Sequence, residues 1–246
     1  MSPFGRALAD GDRLELAGAV VRLKVHRGAR RVSLRVDRTR REVIATAPSE
    51  RKLADAVAFA KSRAGWIAER LAEIPDGEPI TPGLTLEVFG QPCRLEPGTG
   101  RARWIDADGE TPARIVAMGE GEGYARAVTR ILKQRALAVL TERTAAYCAV
   151  LGAPLPQVTV ADAKGRWGSC RPPHRGKPAA IRYSWRLALA PFATADYVVA
   201  HECAHLVELN HSPRFWAVVR RIFGDERPHR AWLRAHGVKL HAFGAR

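Results

Sequence analysis

Two histidines and a glutamate form the most distinctive chemical pattern in the 246-residue sequence. His201, Glu202 and His205 make an H-E-x-x-H motif, and the apolar residues before it predict a helix. Residues four apart lie on one face of a helix, so both imidazoles could bind one ion with the Glu202 carboxylate beside it. Zinc with three protein ligands keeps a position for water and lowers the pKa of that water toward about 7. We therefore expect one Zn²⁺ per chain, with Glu202 as the general base.

A third ligand is needed, and His211 is the strongest candidate. On a continuous helix, six residues beyond His205 would point its side chain away from the ion. The helix must therefore end first, and Asn210 is a residue that tolerates the left-handed conformation of a helix C-cap. The Ser212-Pro213 pair predicts the start of the next helix, so the chain would bend there and bring His211 back.

Two other residues in this segment could compete for the metal. Glu208 is the alternative third ligand. Cys203 lies between the two histidines, but its position on another face of the helix indicates packing rather than ligation.

A second unusual segment surrounds Trp167. Glycines at 165 and 168 allow a close backbone approach, whereas Trp167 itself is more typical of a packed turn. Arg166 could hold a carboxylate or polarise an oxyanion. We predict Arg166, Ser169 and Arg182 as substrate-binding residues. Residues 179–183 are the candidate edge strand, which could receive an extended peptide by strand addition.

The elements that position these residues follow from hydrophobic periodicity. Alternating apolar residues predict strands in the first half, and three- and four-residue spacing predicts one inserted helix over residues 49–71. Three- and four-residue spacing also predicts a long helix over residues 124–151, and two or three shorter helices close the chain. We find no internal repeat. We predict a β-rich N-terminal region over residues 1–120 and a catalytic domain over residues 121–246.

The composition is that of a folded globular chain, with 46% hydrophobic and 26% charged residues. Its unusual feature is the charge: 40 Lys and Arg against 25 Asp and Glu give a net charge of +15. Such an excess is typical of proteins that bind nucleic acids or anionic substrates. However, only 7 of the 40 basic residues are lysines, and an Arg-rich composition can arise without any ligand. The charge therefore leaves both interpretations open.

The sequence contains no apolar run of the roughly 18 to 20 residues that a membrane helix needs. Residues 1–18 also lack the basic start and apolar run of a signal peptide. The four cysteines are far apart and form no C-x-x-C pair. We therefore expect a cytoplasmic protein with reduced thiols and no membrane partner.

Four motifs in order resemble the YgjP-like metallopeptidase family, which is also compared with the SprT-like zinc proteases. They are R-W-G-S-C from Arg166, Y-S-W-R-L from Tyr183, the segment from Tyr197 to Leu206 with H-E-x-x-H, and N-H-S-P-R-F-W from Asn210. The N-terminal half is similar to the opening region of the same family. The resemblance implies a zinc-dependent hydrolase with His201, His205 and His211 as ligands and Glu202 as general base.

Together these observations predict an α+β fold, in which a zincin-like metal-helix domain follows an N-terminal β-rich region. The first hypothesis is a zinc metallopeptidase acting on peptides or proteins. The second is a nucleoside triphosphate pyrophosphohydrolase on the same metal site, because metal-activated water can also attack a phosphoanhydride. The third is a basic nucleic-acid-binding module with a structural metal.

Overall fold

The computed structural model describes residues 7–16, 18–37, 40–74, 77–163 and 165–244. The chain forms two compact units, Met1–Asp76 and Gly77–Arg246. The described residues mix helices with sheets, and the N-terminal elements are strands, so the α+β prediction is confirmed. No described helix is long and apolar enough to cross a membrane. The cytoplasmic location stays a prediction.

The first unit is a four-stranded sheet covered by short helices. Its elements are β1 (Arg13–Leu16), β2 (Ala19–Val25), β3 (Ser33–Asp37), β4 (Glu42–Ala47), a 3₁₀ turn (Glu50–Lys52), α1 (Leu53–Ser62) and α2 (Ala64–Ala72). The strand order is β1-β2-β4-β3, with β2 and β4 parallel. The single helix predicted over residues 49–71 is broken at Arg63, which caps α1 and precedes α2.

The second unit contains two sheets and the long helices. Its elements are β5 (Thr85–Val88), β6 (Gln91–Pro97), β7 (Arg103–Ile105), β8 (Ala113–Ala117), α3 (Gly121–Leu151), β9 (Gln157–Ala161), β10 (Gly168–Arg171), β11 (Ala180–Ser184), a 3₁₀ turn (Trp185–Leu189), α4 (Phe192–Ala204), α5 (Pro213–Ile222) and α6 (Arg227–Ala242). The predicted long helix begins at Gly121 and ends before Gly152, whose φ of 64° is the left-handed C-cap that glycine favours.

The boundary predicted between residues 120 and 121 lies inside the second unit. The two halves of that unit share one core. Leu95 of β6 and Ile115 of β8 are buried in the same cluster as Val128 and Leu132 of α3. Periodicity along the chain shows that these strands end before α3, but it does not show that they pack against it.

The two four-stranded sheets have the same design. β5-β6-β8-β7 repeats the order β1-β2-β4-β3, with β6 and β8 parallel as β2 and β4 are. The hairpins β1–β2 and β5–β6 also share a register, since Leu14 pairs with Val21 and Leu86 pairs with Cys93. Five residues of the first hairpin recur 72 positions later: Leu14, Glu15, Gly18, Arg22 and Leu23 match Leu86, Glu87, Gly90, Arg94 and Leu95. The expectation of no internal repeat is therefore wrong.

The third sheet has the order β10-β11-β9. β11 pairs antiparallel with β10 and parallel with β9, so it is the central strand. The prediction that residues 179–183 form an edge strand is wrong, because both sides of β11 are already paired. β10 is at the edge, and it packs against α4.

Candidate metal centre

The centre is built on α4, a helix buried along most of its length. Its apolar residues pack into the core, and a polar network joins it to α3. The Asp196 carboxylate accepts hydrogen bonds from Arg143 Nε at 2.7 Å and Nη2 at 3.1 Å, and from the Tyr147 hydroxyl at 2.8 Å. These contacts fix the helix that carries H-E-x-x-H.

Three histidines converge at the end of α4. One ligand nitrogen from each of His201, His205 and His211 lies within 4.8 Å of the other two. The Nε2 atoms of His201 and His211 are 3.1 Å apart. Glu208, the alternative third ligand, is not part of this group.

The other nitrogens of the α4 histidines contact groups that can orient them. His205 Nδ1 lies 3.1 Å from the carbonyl oxygen of Glu208, and His201 Nδ1 lies 3.4 Å from the hydroxyl of Tyr197. With a proton on each Nδ1, both rings donate outward and keep Nε2 free for a metal. Three convergent imidazoles, two of them with a supported tautomer, fit the donor set that zinc prefers.

The electrostatics favour neutral imidazoles. Burial, followed by the neighbouring histidines and Arg230, lowers the pKa of His201 to about 3. Burial is also the largest cause of the lowered pKa of His205. A neutral imidazole is the form that binds a metal, so His201 and His205 do not need to lose a proton to receive one.

Glu202 is 6% exposed and lies beneath the edge strand β10. A Cβ atom on Gly168 would lie 2.5 Å from Glu202 Oε1, so only glycine leaves room for this carboxylate. Burial raises the pKa of Glu202 to about 7, while the charge of Arg166 and the backbone N–H of Cys170 act in the opposite direction. The close backbone approach expected from the glycines is thus found at Gly168, whereas a Cβ atom on Gly165 would meet nothing within 4 Å.

The bend that brings in His211 starts earlier than expected. α4 ends at Ala204, and Asn210 does not adopt the left-handed conformation that we predicted for it. Turns follow, with the Glu208 N–H donating to the Ala204 carbonyl. The next helix begins as predicted, with Ser212 as N-cap accepting from the Phe215 N–H and with Pro213 in the first turn.

Comparison with known proteins adds a family to this geometry. The family model "YgjP-like, metallopeptidase domain" matches residues 30–236. The chain belongs to the YgjP-like family. No curated protein and no solved structure gave a match.

In this YgjP-like chain, the three predicted substrate-binding residues are not all at the centre. Arg166 is exposed and close enough to act on the Glu202 carboxylate. Ser169 and Arg182 are paired across β10 and β11, so their side chains share one face of the sheet. Gly168 faces α4, and side chains alternate along a strand, so Ser169 and Arg182 point to the opposite face. The structure does not bring them together with the histidines.

Two packing predictions are confirmed. Cys203 of α4 is fully buried in the core. Trp167 packs against the same core and stacks on His241, with the ring centroids 4.4 Å apart.

Several residues that surround the histidines of this YgjP-like centre were not predicted from the sequence. Tyr197 is four residues before His201, and that spacing could have identified it as a neighbour on the same helix face. Trp216 lies with its ring centroid 5.9 Å from those of His201 and His211. Arg230 of α6 stacks on Trp216, and no local pattern connects α6 with the centre.

Proposed function

We propose that this protein is a zinc-dependent peptidase, in which His201, His205 and His211 hold one Zn²⁺ and Glu202 is the general base. The observation that carries the proposal is the convergence of three imidazole nitrogens within 4.8 Å, at the end of a helix that also presents a buried glutamate. Zinc in this position would supply a Lewis acid and a water of lowered pKa.

The surroundings of Glu202 suit a proton carrier. A carboxylate whose pKa is about 7 can accept a proton and release it again near neutral pH. The N–H of Cys170 and the charge of Arg166 stabilise its ionised form, while burial stabilises its protonated form. Glu202 would thus take the proton of the attacking water and deliver it to the leaving amine.

The edge strand β10 supports a peptide as substrate. The Ser184 N–H donates to the Trp167 carbonyl at 2.8 Å. In this register, the backbone N–H and C=O groups of the odd-numbered residues of β10 form hydrogen bonds with β11. In an antiparallel pair, the backbone groups of the intervening residues, Gly168 and Cys170, then point to the open edge. The Cys170 N–H is used by Glu202, which leaves the Gly168 N–H and the carbonyls of both residues for a peptide. An extended peptide added at this edge would run beside Glu202.

The family match favours a peptide over the two alternatives that the charge suggested. Nucleoside triphosphate hydrolysis would use the same metal and the same glutamate. Nucleic-acid binding with a structural metal would need neither turnover nor Glu202. One set of variants separates all three.

The experiment compares zinc-loaded wild type with Glu202→Gln and His201→Ala. Each protein is incubated with a mixed peptide digest analysed by mass spectrometry, and with nucleoside triphosphates assayed for released phosphate. We expect peptide cleavage that falls at least about 100-fold in Glu202→Gln, because a general base contributes on the order of 10² to 10⁴ in rate. Zinc content should stay at one per chain in Glu202→Gln and be lost in His201→Ala.

Phosphate release that depends on Glu202, without peptide cleavage, would replace the peptidase with the pyrophosphohydrolase. Salt-sensitive binding of DNA or RNA that persists in Glu202→Gln, with no turnover of either substrate, would support the nucleic-acid module. Wild type without bound zinc, unaffected by His201→Ala, would end the proposal altogether.

A further inference from the structure

Arg230 lies one indole ring away from the metal centre. Its guanidinium carbon is 4.6 Å from the centroid of Trp216, and the Trp216 ring lies beside both His201 and His211. Both Arg230 and Trp216 are only partly buried. The residue therefore presents a positive charge at the border between the histidines and solvent.

The stacking leaves the hydrogen-bonding edge of this guanidinium available. A guanidinium that lies over an aromatic ring uses its flat face, while its five N–H groups point outward in the plane. Stacking also restricts the side chain before any ligand arrives, so less conformational entropy is lost on binding. A carboxylate is the planar partner that this edge fits, with two parallel hydrogen bonds.

The nearest acidic residue on the same helix face is already engaged. Glu226 is four positions before Arg230, and its carboxylate accepts hydrogen bonds from Arg220 at 3.1 and 3.3 Å. Within the described residues, no carboxylate lies within ion-pair distance of Arg230. Arg230 is therefore a positioned cation whose partner is not supplied by the part of the chain that the structure describes.

A second cation lies on the Glu202 side. Arg166 is exposed and acts on the Glu202 carboxylate, and it immediately precedes the turn that leads into β10. Positive charge thus lies near His201, from Arg230 of α6, and near Glu202, from Arg166.

We propose that Arg230, positioned by Trp216 and assisted by Arg166, selects acidic peptides, binding an Asp or Glu side chain close to the scissile bond. This inference rests on the proposed peptidase function and adds the substrate class. The proposed selectivity depends on one local contact, between Arg230 and an acidic side chain of the peptide. The net charge of +15 attracts every acidic peptide from a distance, so a general preference for acidic peptides would not by itself support it.

The test measures binding, using zinc-loaded Glu202→Gln so that no peptide is cleaved. The probes are three fluorescein-labelled ten-residue peptides with one common sequence and two central Glu, Gln or Lys residues. Dissociation constants are measured by fluorescence anisotropy at 150 mM NaCl, which screens distant charges. We expect the Glu peptide to bind about tenfold more tightly than the Gln peptide, the effect of one good charge-assisted hydrogen bond.

The deciding comparison is Arg230→Gln with Arg221→Gln, each in the Glu202→Gln background. Both changes remove one positive charge, but Arg221 is an exposed residue near the end of α5. Arg230→Gln should reduce the Glu-to-Gln preference to about twofold or less, and Arg221→Gln should leave it near tenfold. Arg230→Lys, which keeps the charge without the planar fork, should give an intermediate preference. Zinc content of one per chain shows that each variant keeps its centre.

Equal effects of Arg230→Gln and Arg221→Gln would overturn the inference, because the preference would then be one of overall charge. The inference would also be overturned if the Glu peptide were not preferred, or if none of the three peptides bound. Cleavage that depends on Glu202 but shows no excess of Asp or Glu near the cleaved bonds would leave the peptidase standing without this selectivity. Selective binding of the Glu peptide, without cleavage of any peptide by wild type, would leave the selectivity standing without the peptidase.

Discussion

At the scale of single residues, Gly168 decides where the proposed base can lie. A side chain at this position would overlap three atoms of Glu202, at 2.5, 2.6 and 2.7 Å. The backbone of Gly168 thus forms one wall of the glutamate pocket, and the Cys170 N–H provides a hydrogen bond nearby. Glu202 has little freedom to shift, because it is buried.

Gly168→Ala should therefore displace the carboxylate without touching a metal ligand. We expect peptide cleavage to fall by about 100-fold, as when a catalytic group is misplaced by about 1 Å, while zinc affinity changes little. Turnover and zinc content measured on the same preparation test this. Gly123→Ala is the matched control, since a Cβ there meets nothing within 4 Å. Unchanged turnover in Gly168→Ala would show that Glu202 does not need this pocket.

Tyr197 is the residue expected to orient His201 through its Nδ1 atom, 3.4 Å from the hydroxyl. Tyr197→Phe removes that partner and keeps the ring, so zinc affinity should fall by about tenfold, as is typical when a ligand loses its hydrogen-bonded support. Competition with a zinc-binding dye measures this.

Tyr124→Phe is the control, because the Tyr124 hydroxyl is buried and has no hydrogen-bond partner among the described residues. We expect its zinc affinity to equal that of wild type. If the two variants bind zinc equally well, Tyr197 has no role in orienting His201.

The grouping of the three histidines with Glu202 could be predicted from the sequence because three of these four residues are local. His201 and Glu202 lie in α4 and His205 caps it, and helical geometry fixes their relative directions. Gly168, Trp216 and Arg230 could not be found in this way, since each reaches the centre from a different element. Ser169 and Arg182 were predicted from residue type, and the pleat of the sheet, which type does not reveal, places them on the opposite face from Gly168.

At the scale of elements, α4 depends on its attachment to α3. Asp196 is 8% exposed and holds Arg143 and Tyr147 of α3 through three hydrogen bonds. Removing the carboxylate would leave a partly buried guanidinium and a buried hydroxyl without their partner. Buried polar groups left in this state destabilise a fold more than an exposed pair would.

Asp196→Ala should therefore lower the free energy of unfolding by about 3 kcal/mol. Urea unfolding followed by tryptophan fluorescence measures it, since five of the six tryptophans belong to the second unit. The control is Asp225→Ala, which breaks the exposed ion pair with Arg227 and should change stability little. A similar small change in both variants would mean that the network does not stabilise α4.

The elements themselves were largely predictable, but their partners were not. The strand predicted over residues 179–183 matches β11 closely, but the conclusion that it is an edge strand was wrong. A strand's own sequence does not state whether one or both of its sides are paired, which depends on β9 and β10. The repeated hairpin had a sequence signal, five identities at a spacing of 72, yet the residues between them differ enough to hide it.

At the scale of the whole molecule, the two units have separate cores. The cluster around Leu23, Val43 and Ile67 contains only residues of the first unit. The larger cluster, whose members lie between Ile80 and Phe243, contains only described residues of the second. All three histidines and Glu202 belong to the second unit. A unit with its own core can fold alone, so the metal centre should not require the first unit.

We therefore expect a fragment of residues 77–246 to fold and to bind one zinc with the affinity of the full chain. The control is a fragment of residues 121–246, which has the same ligands but lacks β5 to β8. Leu95 and Ile115 of those strands are fully buried in the core that they share with α3. The Phe89 N–H, next to β5, also donates to the Ala188 carbonyl in the 3₁₀ turn before α4. Losing them exposes the apolar face of α3, so this shorter fragment should aggregate or remain unfolded. Circular dichroism and zinc content compare the two. A stable, zinc-binding fragment of residues 121–246 would show that the second unit divides where our sequence analysis placed the boundary.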